Sequence, residues 1–228
     1  VCLEGFKHVT LENFGVSEGT TYTETKYVQL KDDDGTTPVT GVLDKTMLSL
    51  KVKFTQKNTD SYGSLLVMGG DGWNKGFGLR PNKAGTAMGI LDFNNSAYPM
   101  TTEMIGTDKV FQTGVLYAAD IDTALETSGF SFYDEFMLQV SFEYTTEGEQ
   151  TYLTLTFYLN GEPIKVNERL TATGSATKLD ALKMKISSDK KNHGTYIGFE
   201  EYNNGGTLTM SSVLVTTQGG TQPGPSEP

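Results

Sequence analysis

The chain has 228 residues, with 18 Lys and Arg against 28 Asp and Glu and a net charge of -10. That balance argues against nucleic acid and anionic lipid as partners, because both need a basic footprint. No run of about 18 apolar residues offers a membrane-spanning helix. An all-β chain of this length is expected to form one domain, 1–217, followed by a linker, 218–228.

From the N-terminus, VCLEGFKHV lacks the layout of a secretory signal and is expected to belong to a mature or trimmed chain. The lone cysteine, Cys2, leaves no intramolecular disulfide and no CxxC metal motif. His8 and His193 are far apart and belong to no recognisable catalytic set. YTETKYVQL, 22–30, predicts a strand, and KDDDGTT, 31–37, a solvated acidic turn. Calcium is the alternative for that turn, but the EF-hand spacing and its distal bidentate Glu are missing, so no cofactor is expected. MLSLKVKF, 47–54, alternates Leu48, Leu50, Val52 and Phe54 against Ser49, Lys51 and Lys53, the period of a half-buried strand.

Between the predicted strands YGSLLVMG and GFGLRP lies GGDGWNKGFG, 69–78, which holds the only tryptophan, Trp73, among five glycines. Glycines offer an indole almost no surface to pack on, so Trp73 is expected to serve as a stacking platform. Asp71, Asn74, Lys75 and Arg80 stand near it in sequence as hydrogen-bonding groups. Packing at the end of the fold is the alternative role for the ring. TAMGILDF predicts the next strand, and DFNNSAY, 92–98, adds Asp92, Asn94, Asn95 and Tyr98 in a loop suited to sugar hydroxyls or to calcium. KVFQTGVLYA predicts one strand, and DIDTALETS, 120–128, one short surface helix capped by Asp120.

EFMLQVSFEY aligns Phe136, Leu138, Val140, Phe142 and Tyr144 on one face, and TYLTLTFYL does the same for Leu153, Leu155, Phe157 and Leu159. Asn160-Gly161 then predicts a type I′ hairpin with EPIKV as the return strand. LDALKMKIS, GTYIGFE and TLTMSSVLV read as further strands, and EEYNNGG, 200–206, with Tyr202, Asn203 and Asn204, as turn chemistry. Asp134 with Glu135, and Glu200 with Glu201, are adjacent and point to opposite faces of a strand, so neither makes an acid and base pair and the charges read as solubility. Many short strands with almost no helix predict an all-β fold, a two-sheet antiparallel β-sandwich of jelly-roll type.

LSLKVKF with YGSLLVMGG and GFGLRP, then EFMLQVSFEY with YLTLTFYLNGEPI, then TYIGFEEY and TMSSVLV resemble in their order the strands of the concanavalin A-like lectin/glucanase superfamily. The likeness is to its laminin-G-like and carbohydrate-binding modules. The acidic, Thr-rich, cysteine-poor style is also similar to cell-surface starch-binding modules of gut bacteria. The superfamily's laminarinase-like enzymes carry a Glu-x-Asp-x-x-Glu strand motif that is missing here. The resemblance therefore implies a binding module and not an enzyme. Its expected partner is a polysaccharide or oligosaccharide, first an α-glucan such as starch, then plant β-glucan or hemicellulose. A protein-binding adhesion or spacer domain is the alternative. The Gly/Pro-rich tail QGGTQPGPSEP suggests further domains beyond it, and the composition an extracellular setting.

Overall fold

The computed structural model describes residues 6–7, 21–22, 26–29, 31, 36–38, 45–56, 65–69, 76–92, 102–105, 108–111, 114–168, 177–186, 196–200 and 206–217. The expected linker at 218–228, Cys2, His8 and His193 lie outside them. In chain order come β1 (Phe6–Lys7), β2 (Thr21–Tyr22), β3 (Lys26–Gln29), β4 (Thr46–Gln56), β5 (Leu65–Gly69), β6 (Gly76–Pro81) and β7 (Ala87–Asp92). Next are β8 (Thr102–Ile105), β9 (Asp108–Phe111), β10 (Gly114–Tyr117), the helix α1 (Ala118–Leu125), β11 (Phe136–Glu147) and β12 (Gln150–Leu159). The series closes with β13 (Glu162–Ile164), β14 (Val166–Glu168), β15 (Lys178–Leu179), β16 (Leu182–Ile186), β17 (Tyr196–Glu200) and β18 (Gly206–Thr217).

Two eight-stranded antiparallel sheets make the sandwich. The first runs β1-β18-β4-β11-β12-β13, with β2 also on β18 and β16 also on β12. The second runs β15-β14-β10-β7-β6-β5-β17-β3. A separate hairpin of β8 and β9 lies against β7.

The core sits between the sheets and follows from alternation. Leu48, Leu50, Val52 and Phe54 of β4, Phe136 to Phe142 on every second position of β11, and Leu153 to Leu159 of β12 are all buried. They meet Met68, Phe77, Leu79, Met88, Ile90, Leu116, Ile197 and Phe199 from the second sheet. Phe77 and Phe142 touch across the interface, with ring centroids 5.5 Å apart. The hairpin at Asn160-Gly161 is as expected: both residues have positive φ, 49° and 90°, the requirement of a type I′ turn. Asn160 also accepts from the Met137 N–H through its side chain at 2.9 Å and donates its own N–H to the Met137 carbonyl at 2.8 Å.

Three expected single strands are each two strands in different sheets. YTETKYVQL divides into β2 of the first sheet and β3 of the second, KVFQTGVLYA into β9 and β10, and LDALKMKIS into β15 and β16. The return strand EPIKV likewise crosses over: β13 ends at Ile164 in the first sheet and β14 begins at Val166 in the second. Ile164 and Val166 are both buried while Lys165 is exposed. A chain that turns this corner keeps the same residues inward on both sides of it, so its alternation continues unbroken and reads as one strand.

The helix also differs from expectation. It begins at Ala118, not Asp120, and ends at Leu125. Its N-cap is Tyr117 with no side-chain cap bond, and Asp120 lies inside the first turn. Ala118 and Ile121 are buried, so the helix is docked against the sandwich through one stripe. Glu126 ends it in the left-handed region at φ 53°.

Alternation makes a direct prediction. Leu155→Ala, which empties an inward position with no exposed surface, is expected to cost about 2–5 kcal/mol. Thr154→Ala, one residue away on the outer face, is expected to cost less than about 1 kcal/mol. Urea unfolding of both variants measures the contrast, and equal losses would contradict the register.

Candidate functional site

β6 and β7 are joined by a tight turn that sets one end of the second sheet. Asn82, buried within it, accepts from the backbone N–H groups of Thr86 at 2.9 Å and Ala87 at 3.2 Å, and donates to the Thr86 hydroxyl at 3.0 Å. Gly85 takes φ 69°, and a Cβ there would come 2.8 Å from Tyr133 Cδ2. Only glycine suits that combination of dihedral and close approach. The Gly85 carbonyl accepts from the Phe132 N–H at 2.8 Å, and Tyr133 donates its hydroxyl to the Asn82 carbonyl at 2.7 Å. The turn is thereby fastened to the segment that follows α1.

A cleft of about 450 Å³ opens beside this turn, lined by Thr86, Tyr117, Ala118, Ala119, Asp120, Asp122, Phe130, Asn167 and Lys178. Four elements supply it. β10 delivers Tyr117 at its end, where it packs on Ala87 and Val115. The helix delivers Asp120 and Asp122 in its first turns. β14 and β15 pair Asn167 with Lys178, and β10 pairs Val115 with Asn167, so Lys178, Asn167 and Val115 form one row across the sheet.

The two aspartates do different work. Asp122 turns its oxygens to the loop after the helix, accepting from Phe130 N–H at 2.9 Å, Gly129 N–H at 3.0 Å and the Thr127 hydroxyl at 3.3 Å. That holds Phe130 at the cleft, and Phe130 packs edge-on against Phe132 at 5.3 Å and Phe136 at 5.8 Å. Asp120 faces the strands instead. Its Oδ2 accepts from Asn167 Nδ2 at 2.9 Å, and its Oδ1 is bridged by the Lys178 ammonium. Asn167 is 4 % exposed and Asp120's side chain 16 %, whereas that of Lys178 is 55 % exposed. Burial, and secondarily the Asp120 charge, push the Tyr117 phenol above its ordinary range, so it remains an O–H donor at neutral pH. The cleft thus offers two aromatic surfaces with fixed donors and acceptors around them, and among the described residues no group of three metal-ligating side chains forms.

Of the residues singled out from sequence, Asp71, Trp73, Asn74, Lys75, Asn94, Asn95 and Tyr98 lie outside the described residues, as do Tyr202, Asn203 and Asn204. Arg80 stands within β6 and is 7 % exposed, on the face opposite Phe77 and Leu79. Asp92 is the last residue of β7 and pairs with Phe77. Gly69 pairs with Gly76, and Asp92 with Phe77, so the strands that lead into 70–75 and 93–98 leave the second sheet at the same end. The cleft lies at the other end, where Ala87 pairs with Tyr117. Along β7 the two ends are roughly 17 Å apart. Sequence reading missed the cleft because Asn167 and Lys178 come from 47 and 58 positions beyond Asp120.

Glu200 also departs from expectation. It is half-buried and accepts a 2.5 Å hydrogen bond from Tyr27, so its charge is a packed feature and not simply a solubility device. Tyr27 lies against Gly198, where a Cβ would clash with its ring.

No protein-family model matches the chain, and no curated protein matches it. Among solved structures, the exoplasmic/lumenal domain of VIP36 in its Ca2+/Man3GlcNAc-bound form aligns at 11 % identity and TM-score 0.42, over 90 % of this chain and 80 % of that one. The binding domain of botulinum neurotoxin serotype D aligns at 13 % identity and TM-score 0.40, over 88 % of this chain but only 37 % of the toxin domain. The alginate lyase AlgAT5 of polysaccharide lyase family 7 aligns at 10 % identity and TM-score 0.36, over 83 % and 68 %. Scores of this size leave ligand and activity to be read from this chain's own side chains.

A pH prediction follows from Glu200. Burial raises its carboxyl above the ordinary 4.5, and the Tyr27 bond offsets part of that. A folded-state pKa above the unfolded one gives stability that is complete below the unfolded value and declines as pH rises through the folded value. Across the interval that begins at 4.5 and extends upward, the native protein is therefore expected to lose stability relative to Glu200→Gln, which keeps an acceptor for Tyr27. Unfolding midpoints over that pH series test it; parallel profiles for the two proteins would refute the shift.

Proposed function

We propose that the protein is a non-catalytic carbohydrate-binding module that acts outside the cell and holds a glycan in the cleft between α1, the loop at Phe130 and the β14–β15 pair. One observation carries the reading: Tyr117 and Phe130 present aromatic surface beside a polar set, Asp120, Asn167 and Lys178, that is already hydrogen-bonded in place. Sugar rings have apolar C–H faces and a rim of hydroxyls, and they need both kinds of surface close together. Groups fixed before binding lose little entropy on binding.

Proton-transfer chemistry fits the cleft less well. Asp122 spends its oxygens on three loop donors, and Asp120 is neutralised by Lys178, so neither is placed as a free acid or base. An α-glucan such as a maltooligosaccharide is the first ligand to try, followed by β-glucan and hemicellulose fragments.

Calorimetric titration with maltooligosaccharides tests the proposal. Tyr117→Ala and Phe130→Ala are each expected to weaken binding by about tenfold, equivalent to about 1.4 kcal/mol. Emission from Trp73, the single tryptophan, reports separately on the glycine-rich stretch at 69–78. Binding that survives both cleft variants but shifts Trp73 emission, and is lost in Trp73→Ala, would move the site to the loops around that residue. Absence of binding to any glycan would favour a protein-binding adhesion role.

A further inference from the structure

We infer that Lys178 is the residue that sets the charge class of the ligand, tuning the cleft to neutral sugars by standing where a cationic ligand group would otherwise sit; the inference rests on the glycan-binding reading above. The juxtaposition that carries it is a nearly buried carboxylate with one fixed donor and one replaceable one.

Asp120 is withdrawn from water, and a carboxylate in that position needs partners for its lone pairs. Asn167 satisfies Oδ2 from a side chain that is itself almost fully buried and also reaches the Val115 carbonyl at 3.4 Å. That donor is part of the wall. Lys178 satisfies Oδ1 from a different situation: its side chain is more than half exposed and it extends from a two-residue strand at the margin of the second sheet. Among the described residues that line the cleft, its ammonium is the one positive charge, against the carboxylates of Asp120 and Asp122.

With Lys178 in place the described lining residues carry one negative charge without a cationic partner, Asp122, which is bound to the loop after the helix. A uronate or sulfated sugar would face Asp120 and Asp122, with no second cation among the described lining residues to receive it. An amino sugar would have to displace the Lys178 ammonium to reach Asp120. A neutral polyol has neither difficulty, because hydroxyls can donate to the remaining lone pairs of Asp120 without removing Lys178. Specificity by exclusion of the wrong charge is the mechanism.

Removing Lys178 should then open the cleft to cations. In calorimetric titrations at low ionic strength with the full chain, a neutral maltooligosaccharide, a glucosamine oligomer and an oligogalacturonate are compared on the parent, Lys178→Met and Lys178→Gln. Methionine keeps the length of the stem without its charge, and glutamine keeps a donor. The expected result is a glucosamine-oligomer affinity raised about fivefold or more in Lys178→Met, less in Lys178→Gln, with the gain shrinking as salt is added. Because Lys178 is itself one of the polar groups around the ligand, neutral-sugar affinity is expected to fall in both variants, more in Lys178→Met than in Lys178→Gln, so the readout is the ratio of glucosamine-oligomer to maltooligosaccharide affinity, which rises over the parent.

If the parent binds the neutral sugar but neither variant raises that ratio, the inference is overturned and the glycan-binding reading stands. Tighter binding of the uronate than of the neutral sugar by the parent has the same meaning. If the parent binds none of the three, both fall together. Melting midpoints of the variants within a few degrees of the parent, about the effect of losing one exposed ion pair, establish that any change is not a loss of fold.

Discussion

Two polar-backed sheets can coexist in water only if each hides a face, and here each hides it against the other. Leu138, Val140 and Phe142 on β11, with Leu153, Leu155 and Phe157 on β12, stand at the centre of that burial, and Phe77 reaches them from the opposite layer. Side chains so packed fix the register of every strand they belong to, since a slip of one residue would expose the whole set. The positions of the outward-facing residues are then not free. Val115 and Tyr117 project from the second sheet because Leu116 must point into the core, and the cleft inherits its first wall from that requirement.

The remaining walls come from places where the chain leaves one layer for the other. The corner at Lys165 carries the chain from β13 into β14 and so brings Asn167 beside Val115. The helix after Tyr117 is seated by Ala118 and Ile121, which aims Asp120 back at Asn167. Core packing decides where each element sits, and polar bonds among Asp120, Asn167 and Lys178 then join elements that the core has already brought together. Such a site costs little fold stability to maintain, because its polar groups satisfy one another.

The layers of the fold were legible in the sequence because burial imposes a period of two on β4, β11 and β12, and because Asn160-Gly161 announces the only geometry its dihedrals allow. The corners were not legible. At Ile164-Lys165-Val166 the inward pattern is the same before and after the crossing, and nothing in the residue types marks the change of layer. The cleft was hidden for a related reason: Asp120, Asn167 and Lys178 are ordinary surface-type residues in separate segments, and only the strand order makes them neighbours. A carboxylate in the first turn of a helix is common, whereas a carboxylate bridged by residues 47 and 58 positions away is a fact of topology. Glu200 shows the same limit at smaller scale, since its partner Tyr27 lies 173 positions away.

β18 lies between β4 on one side and the short strands β1 and β2 on the other. It pairs with β4 from Gly206↔Gln56 to Thr217↔Thr46, with β2 alongside one part and β1 alongside another. Its hydrogen bonds lie across the strand direction, as in any antiparallel ladder. Tension along the strand would therefore strain those bonds together and not one after another, while the offset at Met210/Ser212 divides the ladder into two blocks of unequal length. A molecule tethered through this strand would resist pulling as a clamp resists sliding, and it would yield first on the shorter side of that offset.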